Sequence, residues 1–248
     1  MTITEDRPSS STTLSPPERK ARRKRILAWV LPAIGVALIA SLFLLTQHLL
    51  ANGLGERRDA LPEEVSANNT TQFGEAGSAY AVQYQVVTLN LSDRPIAAAD
   101  LSMADDAQAI IAPGYGFLDT TMFVGEGGGI NGQGYFSEMM SSVTATTERG
   151  VVQRIDLERS PVGWAEFPSA MRAVQLGSTA FGWEVGQADI DAFTTRTAEA
   201  VRRGEPISWE IEAAGLMGVP VSGAVSCSAE GLCIVSYSVD VSGQSVGD

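Results

Sequence analysis

Few side chains in this 248-residue chain are of the types that carry covalent chemistry. Its one histidine is His48, and its only lysines are Lys20 and Lys24. A Ser-His-Asp or Cys-His arrangement needs an imidazole as base. A histidine-containing zinc site needs one as ligand, and Ser-Lys or Schiff-base catalysis needs a lysine amine. Beyond residue 48 the chain supplies none of them. Carboxylates remain, and a convergent pair could cleave a glycosidic bond. Asp105 and Asp106 are adjacent, however, and neighbours on a helix do not aim at one atom. Glu138, Asp156, Glu158, Glu184 and Glu210 are scattered along the sequence and read as solvated acids. We therefore assign no catalytic, cofactor-binding or metal-ligating residue from sequence and expect no cofactor.

Cys227 and Cys233 are the only cysteines. Their spacing is too wide for the Cys-x-x-Cys redox motif. Ser228–Leu232 between them reads as a hairpin loop, and opposed strand residues lie about 5.5 Å apart at Cα, within reach of a disulfide. A structural cystine in an oxidising compartment is expected. The glycine-rich stretch 125–134 lacks the Gly-Lys-Ser/Thr ending of a phosphate loop and the spacing of a dinucleotide fingerprint. Glu126 and Asn131 are too few for a Ca²⁺ site. We read the stretch as a surface loop, with Gly127, Gly128, Gly129 and Asn131 as candidate partner contacts. Trp164, Trp183 and Trp209, with Phe167, Phe181 and Tyr135, fit a hydrophobic core better than a glycan groove.

The elements that would position these residues begin with a membrane anchor. The basic block Lys20, Arg22, Arg23, Lys24 and Arg25 runs into an uncharged stretch, Ile26–Leu45, and no charge recurs before Glu56. About 20 apolar residues rising about 1.5 Å each cross a hydrocarbon core of about 30 Å. Basic flanks stay cytoplasmic. The pattern predicts a cytoplasmic tail over 1–25, a transmembrane helix over 26–50 and an extracytoplasmic remainder. A cleaved signal has an apolar region of about 7–15 residues and ends in a small-x-small site. This run is longer and lacks Ala-x-Ala, so it reads as a retained signal-anchor that contacts lipid. Residues 1–25 carry seven basic and three acidic side chains, and the remainder carries ten and twenty-six. So acidic an outer portion repels phosphates, and no nucleic-acid partner is expected.

Residues 51–78 lack apolar periodicity and read as a flexible stalk. A domain is expected over 79–242 and a tail over 243–248. Alternation of Tyr80, Val82, Tyr84 and Val86 predicts a strand, and Asp100–Ile111 a short helix ended by Pro113-Gly114. Strands are expected at Phe117–Val124 and Val151–Leu157, and a helix at Ser169–Leu176. Tyr135–Thr147 fits helix or strand. Ile190, Phe193, Thr197 and Val201 mark one face of a helix over Asp189–Arg203, with Asp189 as its cap and Gly204 and Pro206 as its stop. Strands Ile207–Ala213, Val219–Ser226 and Leu232–Val241 follow. The expected class is α+β, with helices on a curved, mainly antiparallel sheet.

Two functions fit this reading. The first is a non-catalytic bacterial envelope protein whose outer domain serves as an accessory subunit of a larger membrane complex, in secretion or conjugation, respiration or cell-wall synthesis. The second is a membrane-tethered, carboxylate-dependent hydrolase or glycan-binding module. It requires convergent acids in a cleft beside an exposed aromatic.

Overall fold

The computed structural model describes residues 34, 36–44, 58–124, 134–215 and 218–243. The chain divides into two units, Met1–Arg57 and Arg58–Asp248. In the first, residues 36–44 are helical, with Val36, Leu38, Ile39, Leu42, Phe43 and Leu44 exposed. The Ser41 hydroxyl donates to the Ala37 carbonyl at 2.8 Å, so this helix satisfies its own polar side chain. This stretch lies inside the span predicted over 26–50. Among the described residues no helix is long and apolar enough to cross a membrane. The remainder of the predicted span and the basic block Lys20, Arg22, Arg23, Lys24 and Arg25 lie outside the described residues.

The second unit is α+β, with its strands mostly antiparallel. Helix α1 (Glu75–Tyr84) leads into β1 (Val86–Asn90). A 3-10 turn (Ala98–Leu101) precedes β2 (Ala107–Ile111) and β3 (Leu118–Phe123). Then come β4 (Tyr135–Met140), β5 (Ser142–Glu148) and β6 (Val151–Glu158). Helices α2 (Phe167–Phe181) and α3 (Gln187–Arg203) follow, then β7 (Ile207–Ala214), β8 (Val221–Cys227) and β9 (Cys233–Asp240). One sheet has the order β1-β3-β4, with β1 parallel to β3; the other is antiparallel throughout, in the order β2-β5-β6-β9-β8-β7. α2 packs on β8 and β9, and α3 on β7. A shared core includes Leu89, Met122 and Phe136 of the small sheet, Ile155, Val225 and Tyr237 of the large one, and Phe167, Phe181 and Phe193 of the helices.

Several expectations require correction. Residues 75–84 form a helix where a strand was expected from Tyr80. Tyr80 and Tyr84 share a side in either geometry, and their rings lie 4.9 Å apart. Gln85 takes a left-handed conformation (φ 53°) that ends the helix. The helix expected over Asp100–Ile111 is a 3-10 turn followed by β2. Ser102 stops the turn at φ 54°, and Asp106 Oδ1 accepts the Arg149 N–H at 2.8 Å, which fixes the β2 entry. Tyr135–Thr147 resolves into two strands, β4 and β5. Gly186 is the N-cap of α3, and Asp189 acts on it from inside the helix, accepting the Gly186 N–H at 2.9 Å.

The segment expected as stalk is part of the fold from Arg58 onward. Thr70, Thr71, Gln72 and Phe73 are buried. Thr71 N–H donates to the Thr88 carbonyl at 2.8 Å, and the Thr88 and Asn90 amides donate to the hydroxyls of Thr71 (2.9 Å) and Thr70 (3.0 Å). Threonine side chains thus stand in for a neighbouring strand along β1. The segment begins with a clasp. Arg58 holds the Glu64 carboxylate with both terminal nitrogens, Nη1 at 2.7 Å, and also lies 5.6 Å over the Tyr80 ring. That pairing keeps the Glu64 carboxyl below the usual carboxylate range, and the Leu61 N–H at 2.8 Å adds to it. A depressed carboxyl stabilises the fold above its unfolded pKa and ceases to as pH falls through its folded one. Acidification should therefore expose residues 58–72 to proteolysis before the sheets unfold. Arg58→Gln should shift that onset to higher pH, as limited digestion across an acid series would read.

Candidate functional site

β7 is the last strand of the large sheet, and among the described residues it pairs with β8 alone. Ile207, Trp209 and Ile211 turn toward the helices, while Ser208, Glu210 and Glu212 are exposed on the other face. A bulge between Ile211 and Ala214 interrupts the β7–β8 register. Beside this strand α3 presents Asp189, Ala192 and Arg196, spaced by three and four residues on one helix face. The link Glu184-Val185 closes one end. Together these residues line a groove of about 340 Å³ with Trp209, Glu210, Ile211 and Glu212.

The groove is strongly acidic: among the described residues Glu184, Asp189, Glu210 and Glu212 face Arg196 alone as a cation. Arg196 is in turn placed 5.6 Å over the Phe193 ring, and Asp189 is occupied by the Gly186 amide. Glu184 and Glu210, scattered in sequence, thus come to one groove; Asp189, read as a cap, and Glu212, not singled out, join them. The alternation of β7 gave a signal for its exposed acids, but nothing local indicated that α3 would flank its edge. Among the described residues no group of three or more His, Cys, Asp or Glu is placed to hold a metal ion.

No family model, curated protein or solved structure matches this chain. The reading of the groove therefore rests on its own geometry.

A second polar cluster is internal. Glu138 on β4 accepts the Tyr237 hydroxyl of β9 at 2.9 Å, and Arg159 Nη1 lies 3.2 Å from the other Glu138 oxygen. Burial, then the Glu138 charge, push the Tyr237 phenol well above the ordinary tyrosine range. This cluster joins the small sheet to the large one, with Tyr237 fully buried at its inner end. The other aromatic residues follow the core reading in part. Phe167, Phe181 and Trp183 are buried, Trp209 is half-buried, and Trp164 and Tyr135 are exposed.

Cys227 and Cys233 are opposed on β8 and β9 with Cα atoms 4.0 Å apart, and their sulfurs are at disulfide distance. Both are buried, and the cystine closes the hairpin as expected. The closed loop is short, so Cys227→Ser should lower stability by about 2 kcal/mol, read as a lower thermal midpoint. An unchanged midpoint would mean that the thiols are unpaired. The candidate partner loop, Gly127, Gly128, Gly129 and Asn131, lies outside the described residues.

Proposed function

We propose that this protein is a non-catalytic, single-pass membrane subunit whose extracytoplasmic domain docks onto a larger bacterial cell-envelope assembly. The observation that carries the reading is the β7 edge: a strand that ends its sheet with a groove alongside and, among the described residues, no further strand to cover it. Unpaired strand edges are templates for another chain, and main-chain pairing at such edges is a recurrent mode of protein recognition. The apolar, uncharged stretch 26–45 behind its basic block supports the anchor, and the acidic composition beyond it disfavours nucleic acid. Lipid contacts the anchor, protein subunits are the partners, and no cofactor is required. Secretion or conjugation, respiratory and cell-wall machineries all fit this description.

A carboxylate-dependent hydrolase or glycan-binding module is the second reading. It is favoured by one observation, that Trp209 and four acids line the same groove. Gentle detergent extraction from native membranes, affinity capture of the full chain and mass spectrometry separate the two. A stoichiometric set of membrane subunits supports the accessory role. A solitary chain that cleaves or retains glycans supports the alternative.

A further inference from the structure

We propose that the β7 edge receives an extended segment of a partner protein bearing arginine or lysine, which adds to the large sheet as a further strand. The inference rests on the accessory-subunit reading and specifies where and by what chemistry the partner is held.

The lining of the groove locates it at the backbone. Trp209, Glu210, Ile211 and Glu212 are consecutive, and all four contribute to it. Successive strand residues point to opposite faces, so a groove lined by all four takes in residues of both faces and lies at the outer margin of the last strand, where unpaired amides and carbonyls are presented. Among the described residues β7 pairs only with β8, on its other side, and its register is regular from Ile207 to Ile211, where the bulge intervenes. The available template is that short regular stretch. A short added strand suits it.

Charge selects the occupant. Glu184, Glu210 and Glu212 are exposed and form no ion pair or side-chain hydrogen bond among the described residues. They crowd like charges that a cationic segment would neutralise, and complementary charge steers such encounters and fixes their register. On the face opposite Glu210 and Glu212, the intervening apolar residues of such a segment can lie along Val185, Ala192 and Ile211. An acidic segment meets repulsion. A second copy of this chain is disfavoured too, because two β7 edges would set Glu210 and Glu212 against their counterparts, and opposed like charges destabilise a sheet.

The test uses the full chain in detergent micelles and three labelled peptides read by fluorescence anisotropy. They are Arg-Val-Arg-Val-Arg-Val, its Glu-Val counterpart, and the arginine peptide N-methylated at alternate amides, which keeps its charge but cannot pair as a strand. Only the unmodified arginine peptide should bind, more weakly as salt rises. Glu210→Gln/Glu212→Gln should weaken it about tenfold. Glu63→Gln/Glu75→Gln, an equal charge change at exposed positions on and before helix α1, which packs on β1 and β2 at the far side of the fold from β7, should leave it unaltered. Equal binding of the N-methylated peptide, equal loss in both double variants, or no binding overturns the proposal and leaves the acids as guards of a bare edge. If affinity capture returns the same subunits from native chain and Glu210→Gln/Glu212→Gln, the accessory role stands and the β7 assignment falls.

Discussion

Alanine at Gly223 or Gly177 should destabilise the α+β domain by about 3 kcal/mol, near the upper end for overpacking in a closed core. A methyl at Gly223 would sit 2.5 Å from Cη2 of Trp183, and one at Gly177 would sit 2.3 Å from its Cζ3. The indole lies between helix α2 and strand β8. It is pinned there by its Nε1–H, which donates to the Val221 carbonyl at 2.7 Å, and it is stacked with Tyr237 at 5.9 Å. At Gly177 the prediction opposes helix propensity, since alanine inside a helix is normally better than glycine by about 1 kcal/mol. The clash is larger and sets the sign. Urea unfolding followed by circular dichroism measures both variants, and Trp183→Leu supplies the control. With the indole removed, Gly223→Ala should cost less than about 1 kcal/mol, the non-additivity expected of residues in contact. The same cost in both backgrounds would show that the indole is not the obstacle.

Glu138→Ala is the second large effect, about 3 kcal/mol, because it strands two partners at once. Arg159, a quarter exposed at 25%, loses its counter-charge, and the buried Tyr237 hydroxyl loses its acceptor. Tyr237→Phe should cost less, about 1–2 kcal/mol, since Glu138 keeps Arg159. The two also differ in alkali. Up to about pH 10 the phenol is protonated in both the native and the unfolded chain. Above that the unfolded chain releases the proton while the native one, its pKa raised, holds it. Stability then falls by about 1.4 kcal/mol per pH unit. Tyr237→Phe removes that contribution, so its unfolding free energy should decline less steeply by the equivalent of one proton. Parallel declines would mean that Tyr237 titrates alike folded and unfolded.

How much of this was legible in the sequence depends on the range of the interactions involved. Helix α3 and strands β7 to β9 carry their own signals: an apolar helical face, a glycine stop, alternating strands and a cysteine pair spanning a turn. The segment Tyr80–Tyr84 was misread because positions i and i+4 share a face in a helix and in a strand alike. Val82, exposed between them, was the residue that distinguished the two. Arg58–Phe73 was misread for a different reason. Its burial rests on threonine hydroxyls and on the Arg58–Glu64 pair, and polar composition is what a linker also shows. Glu138, Arg159 and Tyr237 left no local trace, since the first and last are 99 residues apart and meet only when the sheets do. The groove was half-visible: the exposed acids of β7 could be read from its alternation, and the helix beside its edge could not.

The place of β9 bears on how the molecule is made. It follows every other strand among the described residues, yet it lies between β6 and β8 in the middle of the large sheet. During synthesis β2, β5 and β6 can assemble early, while β7 and β8 form a separate hairpin; neither group can join the other until residues 233–240 emerge. Long-range pairing of this kind is slow compared with local hairpins. Until then β6 and β8 each present a bare, apolar-backed edge to whatever is nearby. A transcript cut short before Cys233 yields two unjoined halves, a product suited to removal by quality-control proteases.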